Sequence, residues 1–210
     1  MPQILLPTTP VRFCIARLRQ SVAESSRFSD DDLLGIINDG YRQACRRAEN
    51  LETLVTLTIT AGSVETALPD DWVVTKRVYQ SGVPLDPVDY RRIADDAAGT
   101  YYQYARVIGV PATTADSDTT LLLLYAREPD TLDYDDTPEW GAEWNYLLRH
   151  YAAWRCILAS GGEQTIRKAV QQRTQFENAV RKLRQSTRKG KRGGQQRART
   201  TMEGPAAVAG

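Results

Sequence analysis

Apolar residues recur every three or four positions at both ends of the chain, which predicts helices there. At the N-terminal end this spacing holds between Val11 and Val22, in a helix that begins near Pro10. A second helix is predicted after Ser29, because this N-cap residue precedes three aspartates that suit the positive end of a helix dipole.

Between Thr53 and Tyr125 the pattern changes to alternating apolar and polar positions with many β-branched residues. This alternation is typical of half-buried β-strands. It predicts a small antiparallel sheet with a tight turn at Ser81-Gly82. We expect a short helical segment over residues 86–98 and one strand over residues 102–110.

The C-terminal third returns to helical spacing. Pro138 is expected to open a third helix, whose aromatic and aliphatic stripe runs through Leu158. Its tryptophans could form a surface on which nucleobases stack, but their helical spacing favours packing in the core. Gly161 and Gly162 are expected to end this helix, and a fourth helix is predicted to run from Glu163 past Leu183.

These patterns predict an α+β fold. Its body is a four-helix bundle of two N-terminal and two C-terminal helices, with a small antiparallel β insertion and an extended C-terminal tail. The predicted domains are residues 8–51 and 137–187 for the bundle, 52–136 for the β-rich insertion and 188–210 for the tail. The tail is assigned as extended because it lacks apolar periodicity and would be disordered alone.

Charge divides the chain into an acidic body and a basic end. No acidic residue lies between Asn178 and Met202, whereas nine basic residues do. Subtracting these nine charges from the net charge of +1 leaves the rest of the chain at −8. The tail could be a solvated terminus, could bind phosphates of a nucleic acid, or could dock on an acidic partner protein. The candidate binding residues are Arg188, Lys189, Lys191, Arg192, Arg197, Arg199 and Val208.

Residue types needed for catalysis are sparse. His150 is the only histidine, and the three cysteines are widely spaced without a CxxC pair. The acidic residues from Glu128 to Glu139 match no metal-binding loop, so a solvated or repulsive surface is favoured. We therefore expect no catalytic residues, no metal, no cofactor and no enzymatic activity. No apolar run is long enough to predict a membrane-spanning helix, and the N-terminal residues do not resemble a signal peptide.

A family resemblance is carried by the order of short segments over residues 8–187. Two helices are followed by the segments Leu68-Pro69-Asp70-Asp71-Trp72, Gly82-Val83-Pro84-Leu85, Gly109-Val110-Pro111, Leu124-Tyr125-Ala126-Arg127-Glu128-Pro129-Asp130-Thr131-Leu132 and Asp136-Thr137-Pro138. This set resembles the head-to-tail adaptor (connector) proteins of tailed bacteriophages, including the tubular tail protein of short-tailed phages.

The resemblance implies a structural protein of the virion neck, assembled in the bacterial cytoplasm. Such adaptors form a homo-oligomeric ring, commonly twelvefold, beneath the portal ring. They contact a downstream tail or nozzle protein, and genomic DNA passes through the lumen during ejection. By position alone, the basic tail would grip the portal protein. The alternative function is a nucleic-acid-binding accessory protein that uses this tail.

Overall fold

The computed structural model describes residues 10–91, 99–111, 117–161 and 163–202. Side chains are described as far as Thr187, except at residues 142, 163 and 164. The four α-helices over these residues are α1 (Val11–Ser21), α2 (Asp30–Ala48), α3 (Tyr146–Ser160) and α4 (Glu163–Met202). Short 3-10 helices lie at Ala23–Arg27 and Ala142–Trp144. None of the helices described is long and apolar enough to cross a membrane.

The described residues also contain seven strands. These are β1 (Glu52–Ile59), β2 (Glu65–Ala67), β3 (Trp72–Gln80), β4 (Val83–Val88), β5 (Thr100–Tyr104), β6 (Val107–Gly109) and β7 (Thr119–Arg127). They form one sheet in the order β1-β7-β3-β4-β5-β6-β2, with β4 and β5 parallel and every other pair antiparallel. The end strands β1 and β2 contact each other, so the sheet is nearly closed and barrel-like.

The predicted fold class was wrong: the described residues form four α-helices and a seven-stranded mixed sheet, not a helix bundle with a small antiparallel insertion. Two pairings explain the error. The strand expected over residues 102–110 is two strands joined by a turn in which Ala105 has φ +48°. Residues 86–88, expected to be helical, pair in parallel with Thr100–Tyr102. Residues 92–98 of that expected helix lie outside the described residues.

Local capping chemistry fixes the start of α2, as predicted. The Ser29 hydroxyl accepts a hydrogen bond from the Asp32 amide at 3.1 Å, and the Asp32 carboxylate accepts one from the Ser29 amide at 3.0 Å. This capping box satisfies two helix-end donors within four residues. The Ser29 hydroxyl also donates to the Asp32 carboxylate at 2.7 Å, and this hydrogen bond, together with the one from the Ser29 amide, lowers the pKa of Asp32 below its ordinary value.

The third helix begins later than predicted. Trp140 and Trp144 precede α3, which starts at Tyr146 rather than at Pro138. The Trp140 indole donates a hydrogen bond to the Asn145 side chain at 3.0 Å, and its ring packs edge-on against Tyr41 at 4.7 Å. The tryptophans therefore do not share one helical stripe, although Trp140 is buried as expected.

The prediction that the C-terminal tail is extended was also wrong over the residues the structure describes. The backbone of α4 stays helical through Met202, well beyond the last buried side chain described, Leu183. Basic and glycine residues alternate there without an apolar stripe, so the sequence carried no periodic signal for this extension. Residues 203–210 lie outside the described residues.

Contacts divide the chain into two units. The sheet unit is Leu51–Asp130, and the helical unit consists of the flanking segments. In the sheet unit, β7 pairs with both β1 and β3, and its residues Leu121, Leu123 and Tyr125 are buried in the core. In the helical unit, α3 contacts α1, α2 and α4, so its apolar side chains are enclosed on several sides.

Candidate partner-binding surfaces

The basic positions predicted as a binding tail lie on the distal part of α4, except for one. Arg188, Lys189, Lys191, Arg192, Arg197 and Arg199 belong to the helical backbone, and Val208 lies outside the described residues. The helical repeat puts positions 188, 192 and 199 on one side and position 197 on the opposite side. The basic positions therefore encircle the helix instead of forming one stripe.

The proximal part of α4 is fixed in the helical unit. Phe176, Val180 and Leu183 are buried, at spacings of four and three residues. Beyond them, Arg184 forms an ion pair with Glu49 at the C-terminal cap of α2, with 3.0 Å between guanidinium nitrogen and carboxylate oxygen. These contacts anchor the helix immediately before its basic distal part.

An acidic segment, Thr131–Glu139, is held in place mainly by its backbone. The side-chain NH2 of Asn38 donates to the backbone carbonyl of Leu132 at 2.9 Å. The backbone amide of Leu132 donates to the side-chain oxygen of Asn38 at 2.8 Å. The carbonyls of Tyr134 and Asp136 accept the first amides of α1, each at 3.0 Å. The segment therefore serves as the N-terminal cap of α1.

The side chains of the acidic segment mostly face water. Asp133 and Asp136 are exposed, and Asp135 pairs with Arg12 at 2.7 Å while its side chain stays 77% exposed. The Tyr134 hydroxyl donates to Asp31 at 2.6 Å, and this hydrogen bond raises the pKa of Tyr134 to about 12. Among the residues described, no cluster of His, Cys, Asp and Glu could hold a metal ion.

A basic groove of about 270 Å³ lies between α2, α3 and α4. Its charged lining is Arg46 and Arg47 of α2 together with Arg173 and Glu177 of α4, and Trp154 of α3 lines it as well. The Arg173 guanidinium lies over the Trp154 ring, 5.4 Å from its centroid, and its Nε donates to Glu177 at 3.1 Å. Three arginines and one glutamate give this lining a net charge of +2.

Aromatic packing supports the floor of the basic groove. Tyr151 packs edge-on against Trp154 at 5.4 Å and against Phe176 at 5.1 Å. Gln43 donates a hydrogen bond to the Tyr151 hydroxyl at 2.8 Å. The sequence analysis missed this groove, because its side chains come from three helices whose packing no local pattern specifies. The paired Arg46-Arg47 at the end of α2 was the one available signal.

Comparison with protein families decides the identity of the chain. The family model described as SU10 adaptor protein matches residues 14–205. The chain belongs to the SU10 adaptor protein family. The match spans α1 from Cys14, the sheet, the other helices and all of the basic part of α4, so it covers both units. A comparison with curated proteins found no match.

Membership in the SU10 adaptor family confirms the coarser part of the resemblance: this is a phage adaptor protein, a structural component of the virion. The likeness to the tubular tail protein of short-tailed phages stays a prediction.

Reactive side chains in this adaptor are engaged in packing. Nδ1 of His150 lies 2.7 Å from the Gln172 side-chain oxygen, which links α3 to α4. Cys14, Cys45 and Cys156 are buried. Burial raises the pKa of Cys14, and it raises that of Cys156 to about 11. Both thiols therefore stay protonated at neutral pH, a state unsuited to nucleophilic attack or metal binding.

Proposed function

We propose that this chain is the adaptor of a phage neck, without enzymatic activity of its own. Copies of the chain form a ring that docks beneath the portal protein and connects the capsid vertex with a downstream tail or nozzle protein. Genomic DNA passes through the lumen of this ring without sequence-specific binding. No metal or cofactor is required.

The family match over residues 14–205 is the observation that carries this proposal. The charge distribution supports it. Outside the acid-free region from Asn178 to Met202 the chain has a net charge of −8, and a negative surface lowers the affinity of a channel wall for DNA.

The helical path of α4 suggests how docking occurs. A basic helix whose charged positions lie on several sides fits an acidic groove that partly surrounds it. The ion pair between Arg184 and Glu49 and the burial of Leu183 fix the direction in which this helix leaves its last packed turns. We therefore propose that the distal part of α4 is the element that binds the portal.

Native mass spectrometry of the chain mixed with its portal protein tests the proposal. We expect a joint complex that contains several copies of the chain. Truncation after Thr187 should abolish docking, while circular dichroism still shows the packed helices and sheet. Two separate species with unchanged masses in the wild-type mixture would contradict the proposed function.

Two matched variants separate charge from chain length. Truncation after Met202 removes Val208 but keeps all six basic positions, and we expect docking to persist. Replacing those six positions, 188, 189, 191, 192, 197 and 199, with glutamine keeps the length and removes the charge. This glutamine variant should dock far more weakly, with a loss that is largest at low salt. Full docking by the glutamine variant would show that charge does not hold the helix.

Nucleic-acid binding is the second candidate function. It is favoured by the nine basic residues without an acidic neighbour between Asn178 and Met202. It predicts DNA binding whose logarithmic salt slope is about −0.9 per phosphate neutralised, and which is lost on truncation after Thr187. Absence of DNA binding at low salt in a filter or fluorescence assay would eliminate this candidate.

A further inference from the structure

The basic groove has the chemistry of a site for carboxylates. Among the described residues no ion pair is recorded for Arg47, and the Arg173 guanidinium pairs with Glu177 through Nε. The Arg173 side chain is 57% exposed, so it remains accessible to a partner. Arginines on a packed aromatic floor bind carboxylates with little loss of side-chain freedom.

The lining of the groove opposes binding of a nucleic acid. The Glu177 carboxylate in the lining lowers the attraction of the groove for every anion, so it does not distinguish a phosphate from a carboxylate. The Trp154 ring, which could otherwise stack a base, is covered by the Arg173 guanidinium. The groove is therefore better suited to a protein segment that brings several carboxylates than to a phosphate backbone.

The chain itself carries such a segment. The acidic segment, residues 131–139, has four acidic residues and no basic one. Within this stretch, Asp133 and Asp135 are exposed. The side-chain amide of Asn38 hydrogen-bonds to the backbone of Leu132, and the first amides of α1 donate to the carbonyls of Tyr134 and Asp136, so these contacts order the segment. A segment ordered in this way loses little entropy when it docks.

We propose that the basic groove of one copy binds the acidic segment of a second copy of this chain. Each copy has one basic groove and one acidic segment, so the contact is heterologous and repeats from copy to copy. Such a contact forms a ring when the rotation between neighbouring copies closes. This inference rests on the proposed ring and names the contact that joins its subunits.

Charge reversal tests this contact in the full-length chain. The groove variant carries Arg47→Glu and Arg173→Glu, and the segment variant carries Asp133→Lys and Asp135→Lys. Sedimentation velocity and native mass spectrometry, alone and with the portal protein, should show that each variant associates with itself at least about tenfold more weakly than the wild type. Mixing the two variants should restore association, because each reversed groove then meets a reversed segment.

Two controls guard against damage to the fold. Arg17→Glu with Arg167→Glu changes two exposed arginines outside the groove and should leave association unchanged. Asp133→Asn with Asp135→Asn removes charge but keeps side-chain acceptors, and it should weaken association less than the lysine changes do. Circular dichroism should give the same spectrum for all variants.

The outcomes separate this inference from the proposed function. If wild-type rings form and the groove variant forms them equally well, the contact is wrong and the adaptor function stands. If both variants fail singly and remain separate when mixed, the groove does not bind the segment. If the groove variant loses affinity for DNA while its assembly is unchanged, a nucleic acid is the occupant. If the wild type assembles neither alone nor with the portal, the proposed function fails and the contact with it.

Discussion

The hydrogen bonds between Asn38 and Leu132 allow a quantitative test of how the helical unit is stabilised. Asn38 lies on α2 and is half-buried, whereas Leu132 is 6% exposed. The two bonds, at 2.9 and 2.8 Å, satisfy both backbone groups of Leu132. Asn38→Ala removes both partners at once and leaves these groups without their hydrogen bonds.

The expected loss follows from the burial of these groups. A buried polar group left without a partner costs about 1–3 kcal/mol. Since Asn38 is half-buried, water restores part of the loss, and we expect the free energy of unfolding to fall by about 2–3 kcal/mol in total. Asn38→Asp keeps an acceptor for the Leu132 amide but loses the donor, so its effect should be intermediate.

Urea denaturation followed by tryptophan fluorescence measures this loss. Trp72→Phe removes the tryptophan of the sheet unit, so Trp140, Trp144 and Trp154 then report on the helical unit. With a denaturant slope of about 2 kcal/mol per molar urea, the midpoint should fall by about 1–1.5 M. The matched control is Asn178→Ala at an exposed position of α4. Equal midpoints for the two alanine variants would refute the reasoning.

Three further predictions concern single residues. Gly40→Ala brings a Cβ to within 2.6 Å of the Tyr151 ring and should destabilise the chain by about 1–3 kcal/mol. Gly35→Ala on the same helix meets open space and should stabilise the chain by up to about 1 kcal/mol, and thermal melts compare the two variants. Because hydrogen bonds lower the pKa of Asp32 from 3.8, Asp32→Asn should lower the free energy of unfolding at neutral pH. The difference in unfolding free energy from the wild type should shrink as the pH falls below 3.8, and it should vanish once Asp32 is protonated in the folded chain. Since the pKa of Cys156 is raised to about 11, a thiol reagent at pH ~8 should modify it slowly in the native chain and rapidly in urea, as mass spectrometry of the labelled peptide would show.

Local chemistry allowed several elements to be predicted from sequence. The N-terminus of α2 follows from Ser29 and Asp32, which lie three residues apart and complete each other's hydrogen bonds. The turn at Ser81-Gly82 follows from a glycine that adopts φ +80° without strain, although Ser81 before it also takes φ +50°. The ordered series of short segments was enough to indicate a phage adaptor, which the family match confirmed at that level.

Prediction failed where distant residues decide the structure. The parallel pairing of β4 with β5 joins Asp86 to Thr100, and the alternation of residues within a strand does not indicate the direction of its neighbour. The start of α3 depends on Trp140, whose ring packs against Tyr41 about a hundred positions earlier.

The amino-acid sequence by itself determined the helical and strand character of most segments, the cap of α2 and the division between an acidic body and a basic C-terminal end. These properties depend on residues within a few positions of one another, or on composition alone. Only the tertiary structure decided the mixed, nearly closed sheet and the basic groove. The groove joins Arg47, Trp154 and Arg173 from three helices, and the free energy of burying α3 among its neighbours brings them together.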